Sequence, residues 1–219
     1  MITITESMLD GLRRTMAETL SPKRFRHTAM VEEMAAELAA LFCPQLTMSL
    51  RAAALLHDLT KEYDVAEHRK ILTEHGIRLT EQDLLSPKTL HARTAALLIP
   101  ERFPEFADPT ILSAVRWHTT GHARMSLPEK ILYLADYIDQ SRTFADCVTL
   151  RRYFWEAEPA KLDKAGREAL LRDTLIFSFD LTIRDLLANG NPIAGDTVNA
   201  RNELLAERAR QQICSERTG

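Results

Sequence analysis

The stretch MSLRAAALLHDLT, Met48 to Thr60, constrains this chain most. It is almost wholly apolar through AAALLH and lacks the alternation of a half-exposed strand, so the pattern predicts a helix buried on most faces, running through the centre of a core. Within it stand His57 and Asp58. By themselves they read most simply as a core histidine with its hydrogen bonds satisfied, beside a helix-end carboxylate. Burying an ionised aspartate, however, costs several kcal/mol unless a cation or strong donors compensate, and a divalent ion compensates best.

The rest of the chain also carries helical periodicity. Ser7 to Leu20 has a stripe of Met8, Leu9, Leu12, Met16 and Leu20, and Ser21-Pro22 ends it and starts the next helix, which runs from Lys23 to Phe42 before Pro44. A more exposed helix is expected over Asp64 to His75 with Gly76 as its C-cap, a short one over Thr80 to Leu85, and another from about Leu90 to Leu98. Asp108-Pro109 is an N-cap with proline at the first helical position, for a helix ending near His118 to Gly121. Leu127 to Ile138 is strongly apolar and helical. After a connection, Ala160 to Asn189 predicts one long or broken helix, ended by Gly190-Asn191-Pro192, and Asp196 or Thr197 starts a final amphipathic helix. Only 7 glycines and 9 prolines interrupt 219 residues, and no strand pattern, Gly-rich phosphate loop or internal repeat appears. The expected architecture is an all-α helical bundle: an N-terminal helix over 1–22, a core over 23–145, and a C-terminal helical extension over 146–219 packed on the core.

A second anomaly is Asp136, a carboxylate in the middle of ILYLADYI, which on its own could pair with an arginine. His27 opens the apolar stripe Met30, Val31, Met34, and His91 and His118 sit at the edges of apolar helices; each is weak singly. Together, His27, His57-Asp58, His91, His118 and Asp136 place nitrogen and oxygen donors on five different expected helices, which is how bundles build metal sites from facing side chains. Imidazole and carboxylate without thiolate favour iron first, with manganese or magnesium as alternatives, over a structural zinc site.

At this point the chain resembles the HD-domain metal-dependent phosphohydrolases, and more closely their YqeK-type symmetrical diadenosine tetraphosphate hydrolases. The resemblance rests on RHTAMV around His27, LLHDLTKE around His57-Asp58, LHARTAALL around His91, VRWHTTGHARMSLPEKILYLADYID from Val115 to Asp139, and TVNARNELL, and it runs from about Lys23 to Leu205. It implies an HD-domain bundle with metal ligands at His27, His57, Asp58 and Asp136, and release of two ADP by attack at the central phosphate bridge. It also places His91 and His118 where related enzymes bind a second ion or substrate phosphates. The chain departs from the family at Asp139-Gln140-Ser141-Arg142, where Glu-Pro more often precedes the arginine.

Cleaving four consecutive phosphates requires charge neutralisation and an activated water, and a divalent ion supplies both. Asp58 and His118 are therefore candidate catalytic groups, with Lys61, one helical turn beyond Asp58, as a point charge for a phosphate; its alternative is a solvated lysine at a helix end. Arg142 is a candidate bidentate phosphate clamp, and Thr119, Thr120 and Gly121 offer hydroxyl and backbone donors. With 28 basic against 31 acidic residues, a formal charge of −3, no global field draws the chain to nucleic acid or anionic lipid, so the expected partner is a small-molecule nucleotide. The oligomeric state stays open, a homodimer included. Cys43, Cys147 and Cys214 form no paired motif and fit a reducing compartment. The charges between Met1 and Leu20 rule out a signal-peptide apolar region there and no stretch is long enough to span a membrane, which points to the cytoplasm. Two other functions stay open: a nucleotidase or phosphomonoesterase acting on a mononucleotide, and a nucleotide-binding regulator without turnover, against which the full donor set argues.

Overall fold

A computed structural model describes residues 3–218, apart from the side chains of Gln82 and 214–218, so the Cys214 thiol lies outside the described part. Among the described residues every regular element is helical. The chain divides into two compact units, residues 1–119 with 126–142, and residues 120–125 with 143–219. The first holds α1 (Glu6–Thr19), α2 (Pro22–Phe42), α3 (Thr47–Leu56), α4 (Val65–Glu74), α5 (Glu81–Leu85), α6 (Leu90–Arg102), α7 (Pro109–Trp117) and α8 (Leu127–Ile138). The second holds α9 (Ala145–Glu156), α10 (Lys164–Ala188) and α11 (Gly195–Thr218). None of these helices is long and apolar enough to cross a membrane.

In the first unit α3 is central, packed against α1, α2, α7 and α8. Its run Ala52–Leu56 is wholly buried, and three successive alanines let the neighbouring backbones approach closely. The helix starts follow the residues that announce them. The Ser21 hydroxyl accepts from the Arg24 amide at 3.3 Å with Pro22 at the first helical position, Asp64 and Glu67 form a capping box, and Asp108 accepts from the Thr110 amide at 2.8 Å. The buried Glu32 carboxylate binds α1 and α3 to α2, accepting from Arg13 Nη2 at 2.6 Å and from Arg51 Nε at 3.0 Å.

Three boundaries differ from expectation. The central helix stops at Leu56, and residues 57–62 lie in tight turns. His57 Nδ1 bonds the Ala54 carbonyl at 2.6 Å, the acceptor that the Asp58 amide would need for one more helical step. Lys61 consequently follows Asp58 across a turn, its amide donating to the Asp58 carbonyl at 3.0 Å, and not along a helix face. Next, α6 continues to Arg102 through Pro100; a proline this near a helix end removes one hydrogen bond and a few later residues still close the helix. Finally, α9 occupies what read as a plain connection. Its inward residues Cys147, Leu150 and Phe154 have helical spacing, but exposed Val148 and Tyr153 between them blur the stripe. In this second unit α10 packs against α9 and α11 around Leu171, Leu175 and Phe179, with Asp163 capping α10 by accepting from the Gly166 amide at 2.7 Å.

Candidate metal centre

Three histidines are aimed by one device. His57, His91 and His118 each engage a backbone carbonyl three residues earlier through Nδ1: Ala54 at 2.6 Å, Lys88 at 2.8 Å and Val115 at 2.7 Å. A carbonyl only accepts, so each Nδ1 carries a proton, which leaves Nε2 as the nitrogen that presents a lone pair whenever the ring is neutral. The same bond ends two of the helices, since His57 caps α3 and His118 caps α7. His27, in the second turn of α2, is held from side chains instead, its Nδ1 lying 3.2 Å from Ser141 Oγ and 3.3 Å from Asp139 Oδ2. Such partners on the outer nitrogen fix the orientation of a ligating imidazole.

The four Nε2 atoms meet two carboxylates. His27 Nε2 is 3.0 Å from Asp136 Oδ1 and 3.7 Å from Asp58 Oδ2. His57 Nε2 is 3.4 Å from Asp58 Oδ2 and 3.8 Å from Asp136 Oδ1. The buried Nε2 atoms of His27 and His57 have no hydrogen-bond partner. Two buried nitrogens without a hydrogen-bond partner beside two carboxylate oxygens make a candidate ligand set, and two nitrogens with two oxygens and no thiolate suit a borderline-to-hard divalent ion. His27, His57 and Asp136 converge within 4.8 Å of one another, as do His57, Asp58 and His118, so His57 is common to both groups.

Cations surround the carboxylates. Arg24 donates to Asp58 Oδ2 at 2.7 Å, and Arg142 donates to Asp136 through Nη2 and lies 3.3 Å from Asp139 Oδ2 through Nε. Burial alone would raise both carboxyls, but His57 and Lys61 hold Asp58 well below the usual carboxylate range, and Arg142 with His27 does the same for Asp136. Burial likewise opposes charge on His27, yet Asp136 and Asp139 outweigh it and raise the imidazole to about 9, so without an ion His27 is protonated, and a metal held there would displace that proton. His118, wholly buried and next to His57, is lowered to about 4 and stays neutral at pH 7.

Beside this lies a second group. His91 Nε2 and His118 Nε2 are 3.0 Å apart, and with both Nδ1 protons committed, two lone pairs face each other. Each needs a donor. Lys61 Nζ stands 3.2 Å from His91 Nε2, and the Thr119 hydroxyl stands 3.1 Å from His118 Nε2. Asp58 Oδ1 reaches the group too, 3.3 Å from His91 Nε2. The structure thus brings together His27, His57, Asp58, Lys61, His91, His118, Thr119, Asp136 and Arg142. Thr120 and Gly121 belong to the second unit. There the Thr120 hydroxyl donates to the Gly121 carbonyl at 2.9 Å, and Gly121, at φ +61°, lies so close to Phe179 that a Cβ would come within 2.8 Å of the ring. Sequence reasoning missed Arg24 and did not assign Asp139 to His27. No local signal singles out Arg24, which stands in the first turn of α2 and meets Asp58, 34 residues away, only in the fold.

A helical bundle that turns a His-Asp pair and further histidines onto one point defines a class, and the comparisons agree with it. The family model described as HD domain matches residues 24–141. The symmetrical bis(5'-nucleosyl)-tetraphosphatase of Halalkalibacterium halodurans is 36% identical over 190 residues, which cover 86% of this chain and 92% of that protein. The protein of the same description from Bacillus subtilis is 30% identical over 86% of this chain and 93% of its own length. A crystal structure from Clostridium acetobutylicum, described as a predicted HD superfamily hydrolase involved in NAD metabolism, superposes with a TM-score of 0.78 at 30% identity, covering 90% of this chain and 97% of that one. The chain belongs to the HD-domain family and, within it, to the group of the symmetrical bis(5'-nucleosyl)-tetraphosphatases.

Proposed function

We propose that the chain hydrolyses diadenosine tetraphosphate symmetrically to two ADP, with His27, His57, Asp58 and Asp136 holding a divalent ion. The observation that carries this is the pair of buried, partnerless Nε2 atoms of His27 and His57 between the Asp58 and Asp136 carboxylates, in a chain that aligns along nearly the full length of relatives named for that activity. Iron is the first choice for a site of imidazole and carboxylate, ahead of manganese and magnesium. When bound, the ion supplies charge neutralisation at a phosphoryl oxygen and activation of water.

The remaining work falls to side chains. Lys61 brings an ammonium next to His91 and Asp58 and serves as a point charge for a phosphate. Arg142, whose Nη2 donates to Asp136 and whose Nε lies beside Asp139, serves as a guanidinium donor to phosphate oxygens. His118 stays neutral, with its proton on Nδ1 and its lone pair turned inward, so it accepts a hydrogen bond at Nε2 and does not add positive charge. His91 and the Thr119 hydroxyl complete the polar wall on the phosphate side. Asp58 touches both groups of Nε2 atoms, which supports a shared role for it toward the ion and the phosphates.

The purified protein, loaded with ferrous or manganous ion and given diadenosine tetraphosphate, should yield ADP as the sole nucleotide product. Equal amounts of AMP and ATP would refute symmetrical cleavage. Much faster turnover of nucleoside monophosphates would put a nucleotidase in its place.

A further inference from the structure

Behind the catalytic groups runs a buried chain of hydrogen bonds that no step above uses. His68, on α4, places Nδ1 2.9 Å from the Thr94 hydroxyl. Thr94 Oγ1 is 2.8 Å from Thr60 Oγ1, and the Thr60 hydroxyl donates to the His91 carbonyl at 2.9 Å. His68 is only 4% exposed, and Thr60 and Thr94 are completely buried. Proton counting favours one direction for the chain. Thr60 has a single proton and spends it on the His91 carbonyl. Thr94 can spend its own proton on the Leu90 and His91 carbonyls, each 3.2 Å away, or on Thr60 at the shorter 2.8 Å; with that proton committed in any of these ways, Thr94 accepts from His68, which then carries its proton on Nδ1.

We infer that His68 is a positioning residue for the reaction, which acts through Thr94 and Thr60 to hold the turn bearing Asp58 and Lys61 against the first turn of α6, where His91 sits. The turn needs such an anchor. Once His57 has taken the Ala54 carbonyl, residues 57–62 have left the helix, and Thr60 is the member of that turn whose side chain binds the backbone of α6. The position of His68 points the same way. Its neighbours on the inner face of α4 are Ile71 and Leu72, and an aliphatic residue would fill the place with no imidazole to desolvate. Burial lowers the His68 imidazole and keeps it neutral, as a single Nδ1 proton requires. The inference rests on the proposed roles of Asp58, Lys61 and His91.

The test compares His68→Leu, which removes the donor, with His68→Asn, whose side-chain amide stands near the place of Nδ1. The expected result is a kcat on diadenosine tetraphosphate roughly 10–100-fold lower for His68→Leu, as small displacements of reacting groups produce, with metal content unchanged and most of the rate restored in His68→Asn. Thr60→Val should repeat the loss and Thr60→Ser the rescue, which keeps the test open if His68→Leu fails to fold. Ring-nitrogen NMR should show the His68 proton on Nδ1, and a shifted His91 resonance in His68→Leu but not in His68→Asn. Wild-type kcat in both His68→Leu and Thr60→Val, equal impairment of the asparagine and leucine variants, or an Nε2 proton on His68 would each overturn the inference. If the wild-type protein does not cleave the dinucleotide, the proposed function fails, while the NMR signals still decide the hydrogen-bond chain.

Discussion

Asp58 is asked to serve two neighbourhoods at once: Oδ2 faces His27, His57 and Arg24, while Oδ1 faces His91 and Lys61. Replacing it by alanine leaves two partnerless imidazoles and two cations without their anion. Asp58→Ala and Asp136→Ala should each lose bound metal and turnover, by more than the ~10–100-fold that loss of an outer partner costs a metal site. Helical content should stay near wild type, because the α2–α3–α8 core is apolar elsewhere. Metal analysis and circular dichroism check this, and stoichiometric metal with full activity in either variant would remove that residue from the ligand set. These two aspartates were legible in the sequence because a carboxylate inside an apolar run is a local anomaly. Arg24 was not, since an arginine in the first turn of a helix looks like any solvated one until Asp58 is found 2.7 Å away. The tautomers were hidden for the same reason: they depend on which carbonyl faces each Nδ1.

Element by element, the legible features were those written in caps and stripes. Ser21-Pro22, Asp64 and Asp108-Pro109 start helices where side-chain oxygens meet free amides, and α8 has the bounds its apolar run implies. The end of α3 was illegible because a side chain, and not a glycine or proline, stops it. Segment 120–125 shows how a motif can carry a packing need. Gly121 adopts φ +61°, and a Cβ there would meet Phe179 at 2.8 Å, Met125 at 3.0 Å and Ala200 at 3.1 Å. Gly121→Ala should therefore destabilise the protein by about 1–3 kcal/mol, from the left-handed backbone and the overpacked ring together. Denaturant unfolding followed by tryptophan fluorescence measures this; unchanged stability would mean that the segment relaxes freely and that its glycine has another purpose.

For the whole molecule, a formal charge of −3 gives a tetraphosphate no general attraction, and in the proposed site binding falls to the local cluster of Arg24, Lys61 and Arg142 together with the ion. The ion has a thermodynamic effect that needs no substrate. The proposed ligands come from α2, from the turn after α3 and from α8, which the unfolded chain does not hold together, so an ion held by them binds the folded state and stabilises it by mass action. At a free concentration one hundred times its dissociation constant the gain is about 2.7 kcal/mol. For a chain of this length that raises the melting temperature by roughly 5–10 °C. Chelation should reverse the shift and abolish turnover together. Ferrous or manganous ion should restore both better than calcium does, because calcium seeks an all-oxygen shell and the imidazoles here favour a transition metal. Scanning calorimetry of the chelated protein titrated with each ion decides the matter: a melting temperature indifferent to ferrous and manganous ion, or one raised most by calcium, would contradict a site built from these two histidines and two aspartates.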